Sequence, residues 1–331
     1  MCLLPNTPTH LKFIYKIIGL VQFSDKTQET LFSKICNHFW CVPFCSYFIY
    51  LCVCCEPYDH SDLSLFVYLS SVSYLANIFC ISILITTFGF KANELKCLLL
   101  EINAIDFREK SIKKFDWHQL LLTGLYLAHF AFIPYLKESV PIVVFFYILP
   151  ITINCFDNLF KRDVLNLLVD KFKFLNKEFE RQSDLADLQK SFPLTKTKKI
   201  KFLENEEIDW NLRYIEELSQ YHYQLVHLSL DICKNFEIGL VITLTLWFEK
   251  IIESTYFSIF TVVNDDSSHH LLTHVLDAIH AIFEFYWLFT SIENFTRVQT
   301  EANKTPIFVH DVWNKYVKRN FVEKTGASAI R

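Results

Sequence analysis

Apolar positions in this chain fall into long uninterrupted blocks separated by polar stretches. A bilayer crossing needs roughly 20 mostly apolar residues in helical conformation. Six blocks come close to that requirement, over residues 35–55, 65–87, 117–136, 140–160, 238–263 and 271–290. The pattern predicts an all-α, polytopic transmembrane helix bundle of about six spans. Pro141 suits the first turn of the fourth span. Pro150 lies inside that span and should kink it, with neighbouring helices re-satisfying the freed carbonyl.

Between the fourth and fifth spans the periodicity is helical but no longer all-round apolar. Leu159, Val164, Leu165, Leu168, Phe172, Leu175 and Phe179 recur mostly at three- and four-residue steps. Leu212, Ile215, Leu218, Tyr221, Leu225 and Leu228 do the same. Two helices therefore extend beyond the membrane, each with an apolar stripe that needs a partner. Residues 183–207 are polar, contain Pro193 and carry a basic run from Lys196 to Lys201, which reads as a mobile linker.

Charge orients the bundle. Of the 32 basic residues, all but Lys137 and Lys250 lie in the N-terminal segment, between spans two and three, between spans four and five, or after span six. The remaining loops hold mainly Glu56, Asp59, Asp62, Glu138, Asp265 and Asp266. Lys and Arg concentrate in short cytoplasmic loops, so both ends of these residues are expected inside. The expected organisation is a cytoplasmic N-terminus (1–34), spans one to four (35–160), cytoplasmic helical extensions with a linker (161–237), spans five and six (238–290), and a cytoplasmic C-terminal segment (291–331). The expected location is the plasma membrane, as a multi-pass protein in the lipid bilayer.

Composition agrees. The 331 residues are 52% hydrophobic with 33 Phe and only 5 Gly, and mean hydropathy is +0.23. A net charge of −4 gives no case for a nucleic-acid partner. Leu11 to Phe23 is broken by Lys12 and Lys16 and lacks a small-residue cleavage site, so it is not a signal peptide. Cys36, Cys41, Cys45, Cys52, Cys54 and Cys55 crowd one apolar block and read as small packing residues rather than a zinc site.

Ionisable residues inside spans are costly and tend to mark function. In span six Asp277, His280 and Glu284 share a helix face, with His274 one turn before Asp277. In span five Glu249, Lys250 and Glu253 interrupt the apolar run. Lys250 is expected to pair with Asp277 or Glu284, since a lone buried ammonium needs a carboxylate. This face is either a ligand-binding cavity or a satisfied polar seam between helices.

Aromatics gather in the outer halves of the spans: Phe66, Tyr68, Phe132, Tyr135, Phe145, Phe146, Tyr256, Phe257 and Phe260. Aromatic walls with few polar groups suit a small organic ligand; the same residues also suit interfacial anchoring and lipid packing. Candidate ligand contacts are Tyr68, Tyr135, Phe146, Tyr256, His274, Asp277, His280 and Glu284. His269, His270 and His274 lack an H-E-x-x-H frame, so no metal is expected. Phosphate-cradling glycine loops and the G-x-S-x-G elbow are absent from the sequence, and no cofactor or catalysis is expected. The sequons at Asn294 and Asn303 face the cytosol on this topology and should stay unmodified.

Several stretches resemble the insect gustatory receptor family. HLKFIYKIIGLVQF is similar to the family's lead-in, and FKRDVLNLLVDKFKFLNKEF to the cytoplasmic extension of its fourth helix. YHYQLVHLSLDICKNFEIGLVITLTLWF resembles the entry into the fifth helix. SIENFTRVQTEANKTPIFVHDVW resembles the segment between the sixth and seventh, with Glu301, Ala302 and Thr305 at family-like spacing. The resemblance implies a taste receptor subunit of a ligand-gated cation channel, a homo- or hetero-tetramer of related subunits that binds a small-molecule tastant from outside. It also implies a seventh, pore-lining helix. After Trp313 the residues NKYVKRNFVEKTGASAIR fall short of a span, so conduction by these residues alone is not expected. A G-protein-coupled receptor is disfavoured by the inside N-terminus, and an embedded enzyme or transporter using Asp277, His280 and Glu284 is the remaining alternative.

Overall fold

In a computed structural model of the chain, the described residues are 7, 9–18, 91, 94–105, 121, 123–125, 128, 149–191, 198–264 and 271–328. Nearly all of them are helical. Helix α1 spans Thr9–Ile18, α2 Leu149–Ser191, α3 Lys198–Asn264 and α4 Leu271–Ser328. A further helical stretch covers 94–104.

The three long helices outrun their expected spans. α3 has 67 residues, a contour of about 100 Å at 1.5 Å per residue, against a hydrocarbon core of about 30 Å. Most of the expected linker is helical as well. α2 continues to Ser191 and α3 begins at Lys198, so both ends of 183–207 are helical. The segment after span six is likewise continuous with it in α4, through Pro306. The local pattern hides this because the polar run from Ser291 to Thr305 is held by bonds to distant residues, described below.

Spans one, two and nearly all of three, with the first part of four, lie outside the described residues, as does the approach to the kink expected at Pro150. Spans five and six fall on α3 and α4. Among the described residues no helix is long and apolar enough to cross a membrane. The physical reason is visible in the sequence: Glu249, Lys250 and Glu253 break the run in α3, and His274, Asp277, His280 and Glu284 break it in α4.

The chain divides into two compact units. The first comprises Met1–Leu99, Ser111–Asp163 and Ile232–Glu293. Its core contains Leu11 and Tyr15 of α1, Leu95, Leu98 and Leu99, Leu159 and Phe160 of α2, Phe236, Leu246 and Trp247 of α3, and Trp287 of α4. Tyr15 meets Phe160 edge-on at 5.3 Å, Phe160 meets Phe236 at 6.3 Å, and Trp247 stacks on Trp287 at 6.2 Å. Edge-on and offset stacked pairs are the favoured aromatic geometries.

The second unit comprises Leu100–Lys110, Val164–Asp231 and Asn294–Arg331. The two stripes read from the sequence close its core: Val164, Leu165, Leu168, Phe172, Leu175 and Phe179 from α2, and Ile215, Leu218, Leu225 and Leu228 from α3 are all buried. Ile102, Ile105, Val298 and Val312 complete it. Here α2 and α4 run in the same direction, since their hydrogen bonds join residues 125 to 129 positions apart. Each helix therefore finds in its neighbours the partner its stripe requires.

Candidate functional site

In the first unit, polar side chains converge on a buried seam between α2, α3 and α4. Asp157 and Lys161, one turn apart on α2, form an ion pair of 2.6 Å with side chains 0% and 3% exposed. Lys161 Nζ also donates to Thr243 Oγ1 of α3 at 3.4 Å, and Thr243 donates to Asp157 Oδ2 at 3.4 Å. The adjacent Asn158 accepts from Ser291 Oγ of α4 at 3.0 Å. Farther along the same pair of helices Ser254 of α3 donates to Glu284 of α4 at 3.1 Å. All of these side chains are buried, so each bond replaces water that the group has lost, as buried polar groups require.

Next to the seam, Asp163 gathers the N-terminal segment. Its Oδ2 accepts from Thr7 Oγ1 at 2.9 Å and Tyr15 OH at 3.1 Å, while Arg162 Nη2 lies 3.1 Å from Oδ1. Burial and the Asp163 carboxylate hold the Tyr15 phenol well above its ordinary value, so it stays a donor at physiological pH. The motif KRD is thus divided: Lys161 turns to the seam, Asp163 to α1.

Few of the sequence-derived candidates can be placed. Tyr68, Tyr135 and Phe146 lie outside the described residues. His274, Asp277 and His280 lie on α4 and Lys250 on α3, but their side chains are outside the described set. Tyr256 is half-buried on α3. Glu284 is fully buried and accepts from Ser254 Oγ at 3.1 Å. Asp157, Asn158, Lys161, Thr243 and Ser291 were missed. Their one local signal is the three- and four-residue spacing of Asp157, Lys161 and Asn154 at the end of an apolar block, where charges normally mark only a span boundary.

The second unit carries a groove of about 580 Å³, lined by Glu101 and Ile105 on one side and by Tyr221, Gln224, His227 and Asp231 of α3 on the other. Tyr221 OH donates to Glu217 at 3.1 Å and Tyr223 packs on His227 at 4.2 Å. Its lining is carboxylate and aromatic, yet most of these side chains are exposed, so it is an open surface feature.

Both sequons lie inside continuous α4, with Asn294 and Thr305 buried. The acceptor Asn303 itself is exposed.

The arrangement holds helices together through polar bonds. No curated protein and no solved structure matches the chain. The family model described as 7tm Chemosensory receptor matches residues 11–321, which takes in α1, the seam and the second unit. The resemblance carried by the α1, α2, α3 and α4 segments is therefore one of common membership, and the chain belongs to the 7tm chemosensory receptor family, whose members are membrane receptors.

Proposed function

We propose that this chain is a taste-type chemosensory receptor subunit at the plasma membrane, a multi-pass protein working within a homo- or hetero-tetramer of related subunits as a ligand-gated cation channel. The ligand is a small molecule arriving from outside. In this reading Tyr256, His274, Asp277 and His280, with Tyr68, Tyr135 and Phe146, form the binding region, and Glu284 belongs to the seam beneath it. Binding acts by favouring one of two conformations of the bundle, since a ligand shifts an equilibrium only through differential affinity.

The observation that carries the membrane part of this reading is the reversal of faces in the first unit. Thr243, Ser254, Glu284, Thr290 and Ser291 are buried, whereas Val241, Phe248, Ile252, Ile259, Val275, Ile282, Phe285 and Phe289 are exposed. In water, an apolar face of that extent on two helices is unfavourable. In lipid it is the favoured arrangement, with polar residues turned to the bundle interior.

The test is electrical. The full chain is co-expressed with related chemoreceptor subunits in a heterologous cell, and cation current is recorded during application of sugars, amino acids and alkaloids. The expected result is a response whose dose dependence changes when this chain is added, and changes again with Asp277→Asn or His280→Ala. Currents indifferent to the chain across all three ligand classes would overturn the channel reading.

A further inference from the structure

α4 runs unbroken from Leu271 to Ser328 although Pro306 lies in its interior. A proline lacks the N–H that would bond the carbonyl four residues back, here that of Ala302, and its ring presses on that carbonyl. The residue before it, Thr305, is also disfavoured in helical backbone. This turn of α4 is intrinsically its weakest point, and the continuity of the helix there needs a cause.

One side chain from another helix braces this turn. Asn176 of α2 donates from Nδ2 to the backbone carbonyl of Glu301 at 3.0 Å and accepts at Oδ1 from Thr305 Oγ1 at 2.6 Å. Glu301 and Thr305 are one turn apart and bracket Ala302, so the amide spans the turn the proline weakens. The orientation of the amide is fixed by its partners, because the carbonyl can only accept and an amide oxygen can only accept in turn. Asn176 is 6% exposed and Thr305 0%, so water cannot substitute for either bond. Farther along, Ser183 donates to Asp311 at 2.7 Å, and Lys315 lies 2.9 Å from Asp311 and 2.7 Å from Asp187. Asp311 and Asp187 are about half exposed, and ion pairs of that kind hold weakly. Among the polar links described between α2 and the end of α4, the amide is the buried one, and Val312 adds a buried apolar residue beyond Pro306.

We propose that Asn176 is a positioning residue that keeps a proline hinge in α4 closed, so that the docking on α2 of the arm of α4 beyond Pro306 depends on this amide. An ordinary helix has a complete ladder at this turn and would keep its shape without Asn176. The α4 turn lacks a ladder bond, so loss of the amide opens it. The effect of Asn176 on local order therefore depends on Pro306, and that dependence separates a hinge clamp from a simple packing contact.

The test is amide hydrogen exchange on the full chain in lipid nanodiscs, read over residues 303–305 and 307–310. In the natural background Asn176→Ala accelerates exchange there by about tenfold or more, and in the Pro306→Ala background by less than about threefold, a coupling of the size neighbouring groups show. Equal acceleration in both backgrounds, or none in either, overturns the proposal. If Asn176→Ala does not yield folded chain, Thr305→Val is read in the same two backgrounds, because it removes only the hydroxyl donor. The readout involves no ligand and no current, so its failure leaves the chemosensory reading standing, and failure of that reading leaves the hinge standing.

Discussion

Lys161 places its ammonium nitrogen 2.6 Å from Asp157 Oδ2, one turn back along α2, in a setting where neither side chain has access to solvent worth the name. Both groups have lost hydration, and each is compensated chiefly by the other. Their joint contact with Thr243 ties the pair to α3. The seam thus contains an intrahelical ion pair that is tied to α3 through Thr243.

That arrangement predicts asymmetric mutational behaviour. Lys161→Met or Asp157→Leu alone leaves one buried charge uncompensated and should lower stability by about 3–5 kcal/mol. The double variant should recover most of the loss, because a buried pair replaced by apolar groups of similar size is often neutral. Thermal unfolding of the solubilised chain, followed by tryptophan fluorescence, reports both. Losses that simply add in the double variant would show that the two groups do not compensate each other.

Glu284 offers a second comparison, between the bond observed and the pairing the sequence suggested. Its Oε2 accepts from Ser254 Oγ at 3.1 Å. Glu284→Gln keeps an oxygen acceptor in that place and is expected to cost no more than about 1 kcal/mol. If Lys250 is instead the main partner, the same substitution strands an ammonium, costs several times more, and is cured by adding Lys250→Met. The second pattern in the same unfolding assay would assign the ion pair to Lys250 and Glu284.

How far the sequence reached depends on whether a feature is local. The stripes of α2 and α3 were legible because burial on one side of a helix imposes a 3.6-residue period, and Phe172, Leu175, Leu218 and Leu225 fall on the buried faces as that period requires. The length of α4 was not legible. From Ser291 to Thr305 the residues are mostly polar and end at a proline, and the bonds to Ser291 and Thr305 come from Asn158 and Asn176, more than a hundred positions earlier. The seam was hidden for a related reason: Asp157 and Lys161 sit where a span ends, and only the approach of Thr243 and Ser291 distinguishes a buried pair from interfacial charges. The aromatic candidates Tyr68, Tyr135 and Phe146 are not among the described residues.

Two isoleucines of α4 test what surrounds the first unit. Ile282 is 68% exposed and Ile307 is 70% exposed, so they are matched in accessibility and belong to different units. If the first unit faces lipid, Ile282→Lys introduces a charge near the middle of the sixth span, at about 2.5–3.5 kcal/mol on insertion scales. Ile307→Lys adds a charge to a solvated helix and should be close to neutral. The measurement is the fraction of each variant that resists alkaline extraction from membranes. Equal tolerance of both substitutions would remove the lipid-facing interpretation of α4.

His222 gives the second unit a pH dependence of definite sign. It is half-buried on α3, its ring meets Phe172 edge-on at 6.1 Å, and burial lowers its pKa from the ordinary 6.5. Its Nδ1 is buried with no hydrogen-bond partner among the described residues, so nothing there offsets the cost of charging the ring. The unfolded chain takes up the proton near pH 6.5 while the folded chain resists it until lower pH. The stability contributed by the neutral ring is therefore fully present above 6.5 and is lost as pH falls through the depressed folded value. Between pH 7.5 and 5.5, the hydrogen-exchange protection of residues 218–226, corrected for the fall of the intrinsic exchange rate with pH, should decrease in the natural chain, and His222→Leu should flatten that decrease because the apolar side chain has no proton to bind. The same acid response in both proteins would place the titrating group elsewhere.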